Sequence, residues 1–373
     1  MKKGLAVLLA FCMAVLFSLN VFAAEESGNE YSITTPYEFP VKPGDDEWKD
    51  FITTQEMIDA MQIPENILEN TTTVALIETM LSSSILEFYC CEDVYYAMEA
   101  LEDSYNVFRE LQSRPDYVES LIRIYENTSL LTGEELEVSN ADEHFFDVFN
   151  LEVLIAFEMS KSENSYARTN SIQQDWTSVE ESYEEKQQIR IQENETYSSN
   201  SNGFIWFIEN SKGQVDSSSE ISLLAMTTAT VKTPRQTNVT AYIYDDYTSS
   251  EKNKINSDTD AKYPNATRLS GATKKYNCHS YAWYSQNAST NIYWIPNPSA
   301  FWSDGSYVVA SAGAGRKVRY LSGEHSAIMY TYSSGEIYYQ SKWGTAGVYR
   351  HSPSYGPSIY NYGAGVTYYK NNS

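Results

Sequence analysis

The chain has 373 residues and is acidic, with 26 Lys and Arg against 50 Asp and Glu and a formal net charge of −24. The imbalance is segregated: residues 25–261 carry a net −33, whereas the stretch from Lys262 onward has ten basic residues against three acids, a net +7. Four cysteines and no internal run long and apolar enough to cross a bilayer argue against a disulfide framework and a helical membrane anchor.

The first 23 residues read as a secretory signal peptide. Met1-Lys2-Lys3 is a basic start, Gly4 to Leu19 is apolar, and Val21-Phe22-Ala23 is a small-residue cleavage pattern. Phe11 directly before Cys12 is too bulky for a lipidation box. The expected mature chain is secreted, extracellular or wall-associated, and keeps Cys90, Cys91 and Cys278. The vicinal pair Cys90-Cys91 cannot easily bridge itself and reads as buried helix residues.

Residues 25–161 predict an acidic all-α helical bundle. Thr53-Thr54-Gln55-Glu56 and Thr132-Gly133-Glu134-Glu135 read as capping boxes, and Val94, Met98, Leu101, Tyr105, Phe108 and Leu111 recur at helical spacing. Pro64, Pro115 and Gly133 divide the bundle into several helices. Residues 162–224, rich in Ser, Asn, Gln and Glu, have the composition of a polar linker, interrupted by Phe204 to Ile208 as a lone strand. One or two further strands are expected between Thr227 and Tyr244, opening a C-terminal domain over 225–373.

That domain holds the candidate chemistry. Cys278 stands in Asn277-Cys278-His279-Ser280-Tyr281-Ala282-Trp283, with Asn277 as a helix cap, so the sulfur is expected in a first helical turn where the dipole favours thiolate. His325 heads the strand-like run Ser326-Ala327-Ile328-Met329-Tyr330-Thr331-Tyr332. Ser333-Ser334-Gly335 is turn chemistry, and Glu336 to Trp343 is the returning strand. A thiol with a downstream imidazole is the minimum for cysteine nucleophilic catalysis, because the imidazole takes the thiol proton and returns it to a leaving amine. A helix-borne nucleophile facing a histidine on an antiparallel sheet is the papain-like arrangement. The third role depends on register. A two-residue turn puts Gln340 and Lys342 on the face of His325, and a three-residue loop puts Ser341 and Trp343 there; Gln340 is favoured. His351 is a further contender, and His279, about 100° from Cys278 on a helix, is expected to orient rather than to catalyse. Cys278, His279, His325 and His351 lack metal-binding spacing, so no metal or cofactor is expected.

These segments, Cys278 then His325-Ser326-Ala327-Ile328 then Gln340-Ser341-Lys342-Trp343-Gly344, resemble the CHAP-type amidases and, more loosely, the NlpC-type peptidases, over about the last 110 residues. In CHAP domains the third segment reads Glu-x-Asn-Trp, with Glu and Asn orienting the histidine; Gln340 and Lys342 stand at those places here. The wording Asn-Cys-His-Ser-Tyr-Ala-Trp and Ser-Lys-Trp-Gly is similar to secreted Firmicute domains of no known activity. The resemblance implies an amidase or peptidase acting on peptidoglycan or protein, with Cys278, His325 and Gln340 catalytic and His279, Ser341, Lys342 and His351 auxiliary. A basic domain rich in Tyr and Trp suits an anionic, sugar-bearing partner such as cell wall, and no motif points to nucleic acid. The charge asymmetry also predicts an intramolecular contact between the acidic helical part and the basic C-terminal part. A non-catalytic wall- or partner-binding module is the alternative.

Overall fold

A computed structural model describes residues 32–91, 93–132, 141–163, 176–193, 202–204, 207, 226–321, 325–360 and 364–372. The signal segment and the Thr132-Gly133-Glu134-Glu135 box from its second residue onward lie outside the described residues.

The N-terminal part is helical. Thr53 and Glu56 close a capping box on α1 (Thr54–Ala60), satisfying two otherwise orphaned amides. Thr72 caps α3 (Thr73–Ser82), which follows the single-turn α2 (Glu65–Leu68), and Asp93 caps α4 (Val94–Ser104) through the amides of Tyr95 and Tyr96. The periodic stripe from Val94 to Leu111 is buried throughout, but it is carried by two helices. Tyr105 is extended (φ −120°, ψ 123°) and separates α4 from α5 (Asn106–Ser113). α6 (Tyr117–Asn127) and the long α7 (Ala141–Glu163) complete this set.

The stretch expected to be a linker is in part a helix. α8 (Thr177–Gln192) packs on α6, and the polar side chains of Ser182, Lys186 and Arg190 face inward. Arg190 and Glu152 of α7 form an ion pair at 3.0 Å, and the same carboxylate accepts from the Tyr125 hydroxyl at 3.0 Å and the Gly203 amide at 2.8 Å. Lys186 donates to the carbonyl of Tyr125. A buried carboxylate needs that many partners to stay ionised. Gly203, Phe204 and Phe207 are helical, not the expected strand.

The C-terminal part is α+β. β1 (Met226–Lys232) and β2 (Asn238–Tyr244) form an antiparallel hairpin of their own, followed by α9 (Ser249–Lys262), which opens on a Thr248–Glu251 capping box. β3 (Thr267–Ser270), β4 (Tyr307–Ala310), β5 (Lys317–Tyr320), β6 (Ser326–Thr331), β7 (Ile337–Lys342), β8 (Val348–His351) and β9 (Val366–Asn371) make one seven-stranded antiparallel sheet in the order β3-β8-β7-β6-β5-β9-β4. Strand alternation divides its core. Ile328, Val348 and Tyr369 pack with the β1–β2 hairpin and with Tyr281, Ala282 and Trp283 on one face. Val318, Tyr320, Ala327, Met329 and Tyr339 cluster on the other.

The two parts share a core. Trp343, Tyr349, Tyr355, Ile359 and Tyr360 are buried in the same apolar cluster as Trp48, Phe88, Leu101 and Phe108. Trp48 donates to the carbonyl of Lys262 at 2.7 Å, the backbone of Thr345 to that of Tyr89 at 2.7 Å, and Thr54 to Gly356 at 2.9 Å. Lys262 pairs with the buried Glu87 at 2.7 Å. The junction is therefore a continuous packed interior with one ion pair inside it, unlike two bodies joined by a tether. Among the described residues no helix is long and apolar enough to cross a membrane.

Candidate active site

Asn277 starts the helix that carries Cys278. Its side-chain oxygen accepts from the amides of Ser280 (3.0 Å) and Ile295 (3.2 Å), and its amide nitrogen donates to the Ile295 carbonyl (2.9 Å), so the cap is also tied to the next loop. Two residues further on the helix widens. Ser280–Tyr284 is π-helical, closed by the Ser285 amide on the Ser280 carbonyl at 2.9 Å. Such widening is uncommon and often sits at functional positions; here it accompanies burial of four consecutive residues, Ser280 to Trp283.

The imidazole beside the thiol is that of His279. Its Nδ1 lies 3.4 Å from Cys278 Sγ and 3.0 Å from Ser326 Oγ. Trp283 Nε1, which can only donate, reaches the same Ser326 oxygen at 2.9 Å. Ser326 Oγ thus accepts from the indole and either donates to a bare Nδ1 or accepts from a protonated one. The second arrangement is the one that would stabilise an imidazolium at Nδ1. Cys278 is 0% exposed.

His325 is not hydrogen-bonded to Cys278. Among the described residues neither of its ring nitrogens has a hydrogen-bond partner, and the ring is stacked on Tyr360 (centroids 3.6 Å, planes 13° apart) with Tyr320 edge-on at 4.9 Å. Burial, then the neighbouring His351 and His279, hold its pKa well below the ordinary imidazole value, so it is neutral. Alternation explains the exchange of roles: Ser326, one residue on, turns toward the Cys278 helix, and His325 lies beside Tyr320, whose amide donates to the His325 carbonyl at 3.2 Å.

The hairpin takes the three-residue loop. Tyr332 N–H donates to the Glu336 carbonyl at 2.8 Å, Gly335 adopts φ +90°, and Ile328 pairs with Gln340. A glycine in the left-handed region after the turn is what such a loop requires. The favoured register is therefore not the one formed: Gln340 lies on the opposite face from His325, where it accepts from the Tyr281 hydroxyl at 3.3 Å. Ser341 and Trp343 occupy the His325 side of the strand. There Ser341 Oγ meets His351 Nε2 at 2.9 Å and accepts from Trp343 Nε1 at 2.9 Å. His351 Nδ1 faces the Ser352 carbonyl at 2.9 Å, so Nδ1 carries the proton and Nε2 accepts from Ser341. Burial pushes the His351 pKa down to about 4. Lys342 is fully buried, with its ammonium on the carbonyls of Thr273 (3.0 Å), Gly344 (2.8 Å) and Ala346. It locks the β7–β8 connection.

The site thus contains two Trp–Ser–His chains, Trp283–Ser326–His279 and Trp343–Ser341–His351. Ser326 and Trp283 were not among the expected site residues; the only signal for them was the Ser directly after His325 and the Trp five residues after Cys278. Among the described residues no three His, Cys, Asp or Glu side chains converge to hold a metal ion. Cys90, Cys91 and Cys278 form no disulfide, and burial drives the Cys90 pKa upward. No family model, no curated protein and no solved structure matches this chain.

Proposed function

We propose that this chain is an exported cysteine amidohydrolase or peptidase of papain-like type, cleaving an amide in peptidoglycan peptides or in protein. The observation that carries this reading is the contact of Cys278 Sγ with His279 Nδ1, with Ser326 Oγ 3.0 Å behind that nitrogen. Cys278 gives its proton to Nδ1 and its sulfur attacks the amide carbonyl; the proton passes to the departing amine, and water then releases the acyl group from sulfur with His279 again taking a proton. His325, whose ring nitrogens have no hydrogen-bond partner among the described residues and whose neutral, proton-accepting form burial favours, is the second imidazole of this reading. Gln340 has no catalytic role in this reading.

Full burial of Cys278 favours a second reading, a non-catalytic wall- or partner-binding protein in which thiol and imidazoles are packing groups. Mass spectrometry of peptidoglycan fragments and of a protein digest, after incubation with the mature chain and with Cys278→Ala and His279→Ala, separates the two. Catalysis requires new fragments, each cut adding one water, with the wild type and their loss in Cys278→Ala. Cleavage that survives Cys278→Ala discards the cysteine mechanism, and sedimentation with walls without cleavage discards the enzyme.

A further inference from the structure

The sheet face that receives the Cys278 helix also carries two cations that meet no carboxylate among the described residues. Lys317 and Arg319 are one alternation apart on β5, and Arg319 stands directly opposite Ser326 in the β5–β6 register. On the other side, Lys317 pairs with Tyr369 and Arg319 with Thr367. Each cation lies over a ring: the Arg319 guanidinium is 4.9 Å from the Trp302 centroid, and Lys317 Nζ is 5.9 Å from that of Tyr307. Both side chains are half-buried. Among the described residues neither touches a carboxylate. Asp304, at the end of the short helix Ala300–Ser303, is held by Thr233 and by the Ser306 amide, and Glu336 is in the exposed β6–β7 turn.

Two half-buried cations held side by side by aromatic faces cost desolvation, which an acidic partner ordinarily offsets. Among the described residues of the C-terminal part that partner is missing, and burial alone lowers the Lys317 pKa to about 8. A guanidinium presents a fixed fork of donors to a carboxylate or phosphate, and a neighbouring ammonium adds a point charge. The Arg319–Ser326 register places this pair one strand from the hydroxyl that backs His279.

We infer that Lys317 and Arg319, framed by Trp302, Tyr307 and Tyr369, form an anion-binding subsite that holds a carboxylate or phosphate group of the substrate beside the Cys278 centre. The inference rests on the catalytic reading for its link to the reaction, but the subsite itself binds an anion whether or not the thiol works.

The test therefore reads binding and turnover separately. The mature chain carrying Cys278→Ala is labelled with ¹³C-lysine and titrated with sodium phosphate, sodium acetate, and sodium chloride at matched ionic strength, following the Lys317 side-chain resonance and the Trp302 indole signal. A saturable shift with phosphate or acetate, absent with chloride and weakened at least tenfold in Arg319→Gln, supports the subsite, and the better anion identifies phosphate or carboxylate as the group held. Lys317→Met, followed by the indole signal, provides a second variant should Arg319→Gln fail to fold. Equal shifts with all three salts, or shifts unchanged in both variants, overturn it. In the wild-type background Lys317→Met/Arg319→Gln should raise KM for an anionic wall fragment about tenfold with kcat kept. Absence of any wild-type turnover would count against the enzyme and leave the binding result standing.

Discussion

Glu87 is the most exposing place to perturb this molecule. Its side chain is 3% exposed and lies where the helical part meets the sheet; it pairs with Lys262 at 2.7 Å, accepts from Ser358 Oγ at 3.0 Å, and meets the Tyr263 hydroxyl. Lys262, 8% exposed, has besides this carboxylate the Ser84 carbonyl and the Tyr263 ring. Glu87→Ala leaves an ammonium charge buried and strips two hydroxyls of their acceptor, so the loss should reach about 3–5 kcal/mol, the scale for breaking a buried pair from one side. Glu87→Leu combined with Lys262→Met removes both charges and should recover part of that loss, because the desolvation cost of the charges goes with them while the Ser358 and Tyr263 hydroxyls stay without this acceptor. Urea unfolding monitored by tryptophan fluorescence reports on both sides of the junction through Trp48 and Trp343, which lie in one cluster. A single transition moving as a whole is expected. A loss below about 1 kcal/mol for Glu87→Ala, or two transitions of which only one moves, would refute the reasoning about a shared interior.

Three further outcomes are expected. Acid should destabilise the fold through its buried histidines: His351 is held down to about 4 and His325 well below its ordinary value, while both titrate near 6.5 when unfolded, so the unfolded chain binds protons first and stability is lost as pH falls from about 6.5 toward 4. For His351 alone this amounts to roughly 3 kcal/mol over that window; chemical unfolding of wild type and His351→Gln at a series of pH values should show a shallower slope in the variant, and parallel slopes would contradict it. Gly344 has φ +48°, and an added Cβ would sit 2.5 Å from the Cys90 carbonyl carbon and 2.6 Å from the Tyr89 oxygen, so Gly344→Ala should cost more than the roughly 1–3 kcal/mol of ordinary overpacking and lower the thermal midpoint, whereas an unchanged midpoint would mean that the two parts are not held at this contact. Iodoacetamide should label Cys278 ahead of Cys90 and Cys91, and Ser326→Ala, by removing the group behind His279 Nδ1, should slow that labelling; equal, slow modification of all three thiols would favour the packing reading.

Much of the local structure could be read from the residues. The Thr53–Glu56 box, the Asn277 cap before Cys278 and the β6–β7 hairpin follow from chemistry within a few positions. What failed depended on partners far away in sequence. Arg190 and Lys186 look solvated beside so many Ser, Gln and Glu residues, yet they face the Glu152 carboxylate and the Tyr125 carbonyl, and composition does not distinguish a solvated charge from a paired one. The Gln340 preference turned on one residue of loop length, decided by Gly335 entering the left-handed region. His279 was set aside because neighbours on a helix diverge, but an imidazole is long enough to turn back, and Nδ1, the ring nitrogen nearer its own backbone, comes within reach of the preceding sulfur.

The junction also sets a schedule for the chain. Thr54 is bound by Gly356, 302 positions later; Tyr105 by Ser358, 253 later; Trp48 by Lys262, 214 later. A polypeptide made from its N-terminus cannot complete the helical interior from its first hundred residues, since Tyr355, Ile359 and Tyr360, which close that interior, are added long after them. Closure entropy for segments this long must be met before those contacts reward it, which makes assembly slow and leaves an unfinished apolar surface exposed in the meantime. The helical interior is therefore completed only after the Ser358–Tyr360 turn has been made.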